Sequence, residues 1–295
     1  MLTIILGIVE QGLVYAIMAL GVYITYKILD FPDLSVDGTF PLGGAVTAVL
    51  IIAGVNPILT LFISFLVGAV AGIITGLIHV KLKVRDLLSG IIMMTALYSI
   101  NLRIAGKANV AIFSKETIFE NEFLSSLINE NLKPYVASAI LLVIVIIMKL
   151  LLDLYLKTKS GYLLRAVGDN EVLVTSLAKD KGIVKIGGLA IANAFVALAG
   201  SIYTQKGGFF EISIGTGTIV IGLASVIIGT KLFAKVTFLK ATTAVIFGSI
   251  IYKVCVAVAI RVGMTASDLK LITAVLFLGI LVISNGRKRR VKVSD

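Results

Sequence analysis

The sequence predicts an all-α polytopic membrane protein of about nine transmembrane helices, in two inverted four-helix repeats (helices 1–4 and 6–9) joined by helix 5. Three observations lead there. Of 295 residues, 58% are hydrophobic and 15% charged, where soluble domains average about 25% charged, and the mean hydropathy is +1.07. Apolar stretches of roughly 16–24 residues fill the chain, and about 20 residues span a bilayer. A polar break near the start, DFPDLSVDGTFPLGG (Asp30 to Gly44), returns in variant form at Phe209 to Ala224.

Spans are expected at about 2–25, 40–55, 57–80, 86–105, 134–156, 186–204, 217–233, 238–260 and 268–285. The first lacks a basic n-region and is long enough to span, so it reads as a retained helix rather than a cleaved signal. The break that follows carries Asp33, Ser35, Asp37 and Thr39 among Pro32, Pro41 and three glycines. A continuous membrane helix would not choose them, because proline removes a backbone donor and glycine weakens the interior. FPDLSVDGTFPLGGAV aligns with FFEISIGTGTIVIGLA at one constant offset, setting Phe31 on Phe209, Asp33 on Glu211, Ser35 on Ser213 and Gly44 on Gly222. Paired, Gly/Pro-interrupted segments in two halves mark a transporter's central pathway. The candidate path residues are Asp33, Ser35, Asp37, Thr39, Glu211, Ser213, Thr216 and Thr218. Read plainly, the breaks are polar interhelical loops, and the carboxylates Asp33, Asp37 and Glu211 cap the helix that follows.

The net charge of +11 sits in a few loops and in the tail RKRRVK. That is the positive-inside pattern, with no call for nucleic acid. Segments 81–85, 157–185, 231–240 and the tail 286–295 are then cytoplasmic, and 106–133 and 205–216 lie outside. Nine spans put the N-terminus outside; if 40–55 were re-entrant, it would be cytoplasmic. With an odd connector at 134–156, repeat one (2–105) and repeat two (186–285) are inverted, all within a single domain, 1–295. Ser35 is then reached from the cytoplasm and Ser213 from outside.

The loop 157–185 suits one or two short amphipathic helices, with a turn at Gly168-Asp169-Asn170 and a cap for a helix starting at Glu171. An ordered, charged cytoplasmic loop reads as a docking element. The outer loop mixes Phe113, Phe119 and Phe123 with Glu116, Glu120, Glu122 and Glu130. No GxxxxGK[ST] occurs, so ATP would be bound by a partner, and no cofactor, metal set or nucleophile constellation can be assembled. His79 and the lone Cys255 suggest no chemistry. Ionisable residues deep within spans are nearly absent, and Glu10, Lys149 and Asp153 are expected to be paired or interfacial.

DLSV before a Gly-rich turn, RAVGDNE (Arg165 to Glu171) followed by Gly182-Ile183, and GTGTIVIGLASVIIG (Gly215 to Gly229) occur in that order. With them the chain resembles the permease subunits of bacterial ABC importers of the ribose and branched-chain amino-acid type. It is most similar to the branch for aromatic or other hydrophobic amino acids. Lys231, in an expected turn after Gly229, departs from the more usual acid. The resemblance implies a multi-pass permease of the bacterial cell membrane with a cytoplasmic C-terminus. Its implied partners are a second permease copy, a cytoplasmic ATPase dimer and an external substrate-binding protein. It also implies that Arg165, Gly168, Asp169, Asn170, Glu171, Gly182 and Ile183 form the coupling segment that meets the ATPase. The rival class is a stand-alone, ion-coupled secondary transporter, against which the shortage of buried carboxylates counts.

Overall fold

The structure is a computed structural model, which describes residues 2–121, 132–170, 174, 180–236, 238–262, 268, 271–275, 277–279 and 282. In chain order the elements are α1 (Leu2–Tyr23), α2 (Val36–Ile52), α3 (Pro57–Val80), α4 (Asp86–Ala105), β1 (Asn109–Ala111), α5 (Lys133–Tyr155), α6 (Lys159–Asp169), α7 (Lys181–Gly207), β2 (Phe209–Glu211), α8 (Thr218–Leu232) and α9 (Ala241–Arg261). A wide π turn at Ile24–Ile28 prolongs α1, and a 3₁₀ turn at Ile212–Gly215 precedes α8. Among the described residues, seven helical segments are long and apolar enough to cross a membrane, and α2 is a shorter apolar helix. Of the expected span 268–285 only residues 268, 271–275, 277–279 and 282 are described, and the tail 286–295 lies outside the described residues, as do Glu122, Phe123, Glu130 and Glu171.

Local chemistry sets the ends. Asn56 accepts the Ile58 N–H at 2.8 Å with Pro57 in the first turn, which starts α3 where proline costs no hydrogen bond. Gly106, at φ 72°, closes α4 in the left-handed region. Asp180 accepts the Gly182 N–H at 2.8 Å, so α7 starts at Lys181, five residues before the expected 186. Charged lysines there read as loop, yet long side chains at a membrane helix end reach the interface from within the helix. Two further expectations are corrected. Gly168 and Asp169 form the last turn of α6 rather than a separate turn, with Asn170 ending the helix. Lys231 lies in the last turn of α8 rather than beyond it.

The central helices are α1 and α7. Helix α1 packs against α8 and α9 of the second half, and α7 packs against α2 and α3 of the first. The exchange repeats at residue level. A side chain at Gly12 (α1) would meet the Ile250 Cα of α9 at 2.9 Å, and one at Gly72 (α3) would meet the Ala190 Cα of α7 at 2.8 Å. These two pairs are related by the offset that sets Phe31 on Phe209. The same holds for Gly44 packed against the Gly200 carbonyl oxygen and Gly222 against Val22.

The two ends of the bundle differ. At one end Phe31 meets His79 edge-on at 5.1 Å, Gly182 abuts Val80, and Gly188 abuts Leu29 and Leu164. Lys81, Lys83, Arg85, Lys159, Lys181 and Lys185 belong to this end. At the other, β1 pairs antiparallel with β2, Asn109 opposite Glu211, and Lys206 pairs with Glu10 at 3.0 Å.

Candidate functional site

The first break is backbone that α1 can no longer continue. Leu29 N–H closes the π turn onto Ile24 O at 2.9 Å, Asp30 takes φ 52°, and the chain doubles back into α2. Asp33 is 1% exposed. Its Oδ1 accepts the Ser35 N–H at 2.9 Å and its Oδ2 accepts from Asn193 Nδ2 at 2.8 Å. The Ser35 hydroxyl donates to Asn193 Oδ1 at 3.2 Å, so amide and hydroxyl close a ring around the acid. A buried carboxylate is tolerated only with such donors. Asn193 is mid-way along the 27-residue α7, which sets the break deep in the bundle. Thr39 turns inward, its hydroxyl donating to Ser35 O at 3.0 Å. Ser35 is 0% exposed, so the expected cytoplasmic access to it is absent in this conformation.

Asp37 overturns the expected capping role. It does not cap α2, the helix that follows the break; it caps α8, the corresponding helix of the other half. Its Oδ2 accepts the Gly217 N–H at 2.9 Å, and its Oδ1 accepts the Ile219 N–H at 2.8 Å and the Thr218 hydroxyl at 3.0 Å. Gly217, at φ 83°, occupies the cap position of α8 and has no side-chain oxygen. The carboxylate therefore satisfies orphan donors and offsets the positive end of the helix dipole. Pro41 lies within α2, which accordingly starts at Val36 rather than near residue 40. Lacking an N–H, it frees the Asp37 carbonyl, and Gly215 packs against that oxygen and the proline ring so closely that a Cβ would overlap both. The breaks therefore touch, at two residues that the constant offset equates.

The second break is more open. Glu211 is half-buried and accepts from the Ser213 hydroxyl, while Ser213 and Thr216 are exposed. Neither Asp33 nor Glu211 caps the helix after it; each holds the serine two residues on.

Three polar residues escaped sequence reading. Asn193 and Asn101, the latter donating to Gly38 O at 2.9 Å, carried a usable signal: a lone amide in an apolar helix needs a buried partner. The third is Lys253, mid-way along α9, whose ammonium sits 3.9 Å from the Tyr15 ring centroid. Among the described residues it makes no hydrogen bond or ion pair. A lysine at mid-membrane costs about 2.5–3.5 kcal/mol, of which a desolvated cation–π contact offsets about 2 kcal/mol. The ionisable groups seen in the sequence are paired, Glu10 with Lys206 and Ser138, and Asp153 with Lys149, Lys240 and Thr242.

The coupling candidates lie on or beside α6, whose Gly161, Leu164 and Val167 are buried and whose Tyr162, Arg165 and Asp169 are exposed. Thr158 starts it by accepting the Gly161 N–H at 3.2 Å. Gly168 lies so close to the Ile28 carbonyl oxygen that no side chain would fit, which seats α6 on the π turn leading into the first break. Ile183 is 67% exposed, while Gly182 is buried against Val80.

Residues 4–284 match the family described as "Branched-chain amino acid transport system / permease component". The chain belongs to that family. It is 46% identical over 281 residues, 95% of this chain and 91% of the relative, to the tyrosine transport system permease protein of Clostridioides difficile (strain R20291). It is 31% identical to an uncharacterized protein of Rickettsia prowazekii (strain Madrid E), covering 93% of this chain and 95% of that one. A probable branched-chain amino acid transport permease of Methanocaldococcus jannaschii (strain ATCC 43067) is 27% identical, covering 73% of this chain and 74% of that one. No solved structure matches. The chain is thus a multi-pass membrane permease of a transport system.

Proposed function

We propose that the chain is the translocating subunit of an ATP-driven importer of aromatic or other hydrophobic amino acids. It works as a homodimer with a cytoplasmic ATPase dimer and an external substrate-binding protein. The observation that carries this is the seat of α6 on the π turn: motion of a docked partner at Arg165, Asp169, Asn170 and Ile183 would pass through Gly168 and Ile28 directly to the first break. The family, and the tyrosine transport permease among the relatives, support the substrate class. The permease itself contributes no bond chemistry; ATP is bound and hydrolysed by the partner.

The same reading holds that the chain is one domain of nine spans, with two inverted four-helix repeats about the connector α5. Its support is the reciprocal packing of α1 on α9 and of α7 on α3, at pairs that share one offset. The basic end of the bundle then faces the cytoplasm, with the C-terminus, and the β1–β2 end faces outside, with the N-terminus. Substrate passes beside the two breaks, along Asp33, Ser35, Asp37, Thr39, Glu211, Ser213, Thr216 and Thr218.

Reconstitution tests it. Permease, its ATPase and the binding protein in proteoliposomes should take up L-tyrosine only with ATP, and substituting Arg165 and Asp169 by alanine should uncouple uptake from hydrolysis. Uptake driven by an ion gradient with no ATPase present would overturn the reading in favour of a secondary transporter.

A further inference from the structure

The offset that equates the two breaks also equates Asn193 with Tyr15. In the first half, Asn193 meets a carboxylate of the chain itself, Asp33. In the second half the matching acid, Glu211, turns to Ser213, and the Tyr15 position has a cation over it that no acid pairs with among the described residues. Tyr15 belongs to an aromatic group: Phe40, one turn beyond Asp37, stacks on it at 5.8 Å with an interplanar angle of 7°, and Tyr203 meets both rings edge-on at 6.0 and 5.7 Å. Phe40 and Tyr15 are buried, whereas Tyr203 and Lys253 are partly exposed. Tyr252, next to Lys253, packs with Ile221 and Ala224 of the first turns of α8, which sets this part of α9 beside the start of α8. The amino end of a broken helix is the usual anion site in a transporter. Here Asp37 already fills it. Lys253, over the Tyr15 ring and without a hydrogen bond or ion pair among the described residues, is a cation free to meet a substrate.

We propose that Lys253, held over Tyr15, recognises the carboxylate of the transported amino acid, with the Tyr15, Phe40 and Tyr203 rings beside its side chain. The substrate completes in one half the pairing that Asp33 makes permanently in the other. This rests on the amino-acid importer reading above.

The test uses the reconstituted importer with L-tyrosine. Lys253→Met should lower tyrosine moved per ATP hydrolysed by about tenfold or more, the loss of one charge-assisted contact, while Lys253→Arg keeps most of it. A lysine that serves only packing would give the opposite, because methionine fits its volume and removes an unpaired charge. Should Lys253→Met not insert, Lys253→Cys in a Cys255→Ser background serves. Modification with an aminoethyl thiosulfonate restores an ammonium and should restore coupling, whereas a neutral reagent of the same length should not. Unchanged coupling in Lys253→Met, or equal effects of the two reagents, overturns the assignment. A wild-type importer that moves no tyrosine with ATP would instead overturn the importer reading.

Discussion

The two breaks share an acid, an aliphatic residue and a serine, yet they are anchored in opposite ways. The first is locked. Its acid and serine are buried and bound to one amide from the other half, and its backbone is covered by Gly90 of α4, where a Cβ would sit 2.7 Å from the Leu34 nitrogen. The second is looser in its side chains, with Ser213 and Thr216 exposed and the Glu211 carboxylate accepting only from its own serine among the described contacts, while the Glu211 backbone pairs with β1. The second break is held at its α8 end by the first, through the Asp37 carboxylate, and at its other end by the β1–β2 pairing. A shared sequence pattern therefore specifies where a helix is interrupted, while the partner across the bundle decides whether the interruption is rigid. Of the two, the loose break is the one suited to move when substrate arrives.

The comparison breaks most severely at the point of contact. Gly215→Ala places a Cβ onto the Asp37 carbonyl oxygen and the Pro41 ring, neither of which can yield without unwinding α2. A loss of about 4 kcal/mol or more is expected, the scale of severe overpacking, read as failure to accumulate in the membrane and loss of uptake. Gly217→Ala is the control: φ there is 83° but nothing lies within 4 Å. Only the left-handed strain of about 1–2 kcal/mol should appear. Equal effects would mean that the breaks do not meet.

Next in size is Asp37→Ala, which orphans the Gly217 and Ile219 amides together, while the Thr218 hydroxyl keeps the Gly215 carbonyl as acceptor. It should cost about 2–4 kcal/mol, a lost cap plus buried unsatisfied donors. Thermal unfolding of purified protein should show it, with Asp37→Asn falling between because one acceptor remains. If Asp37→Ala melts like wild type, the second break is held by something other than the first.

Much of this architecture was legible in the chain. Helices α3 and α4 match their expected bounds because each boundary has a local cause, Asn56-Pro57 at one and Gly106 at the other. The start of α2 was misjudged because Pro41 reads as a first-turn residue, and only the Gly215 contact shows what covers the carbonyl it frees. The paired breaks could be seen from their repeated pattern. Their partners could not, since Asn193 follows Ser35 by 158 positions, and capping signals are read within a few residues of a helix start. Lys253 gives no such signal for a different reason: with one charge inside an apolar stretch, α9 is still long and apolar enough to cross a membrane.

A smaller effect tests the lock itself. Asn193→Leu leaves the Asp33 carboxylate buried without its amide donor and should cost about 2–3 kcal/mol. The pair Asp33→Leu with Asn193→Leu should recover part of that, because no buried charge is left without its donor even though Ser35 loses the acceptors of its N–H and hydroxyl, and the coupling between them can be measured by a double-mutant cycle.

The smallest effects belong to the loose break, and they decide whether it is loose. Glu211→Gln should change stability by less than about 0.5 kcal/mol, as for a surface substitution. In a Cys255→Ser background, Ser213→Cys should react with a membrane-impermeant thiol reagent added outside, while Ser35→Cys stays unreactive from either side in the resting state. During turnover the two sites should part further. The Ser213→Cys rate should change with ATP and loaded binding protein, since nothing from the other half binds that side chain among the described contacts. Ser35→Cys should become reactive only if the Asp33–Asn193 lock opens. Reaction at Ser35→Cys at rest would mean that both breaks are equally mobile, and the asymmetry between them would have to be sought in the dimer rather than within one chain.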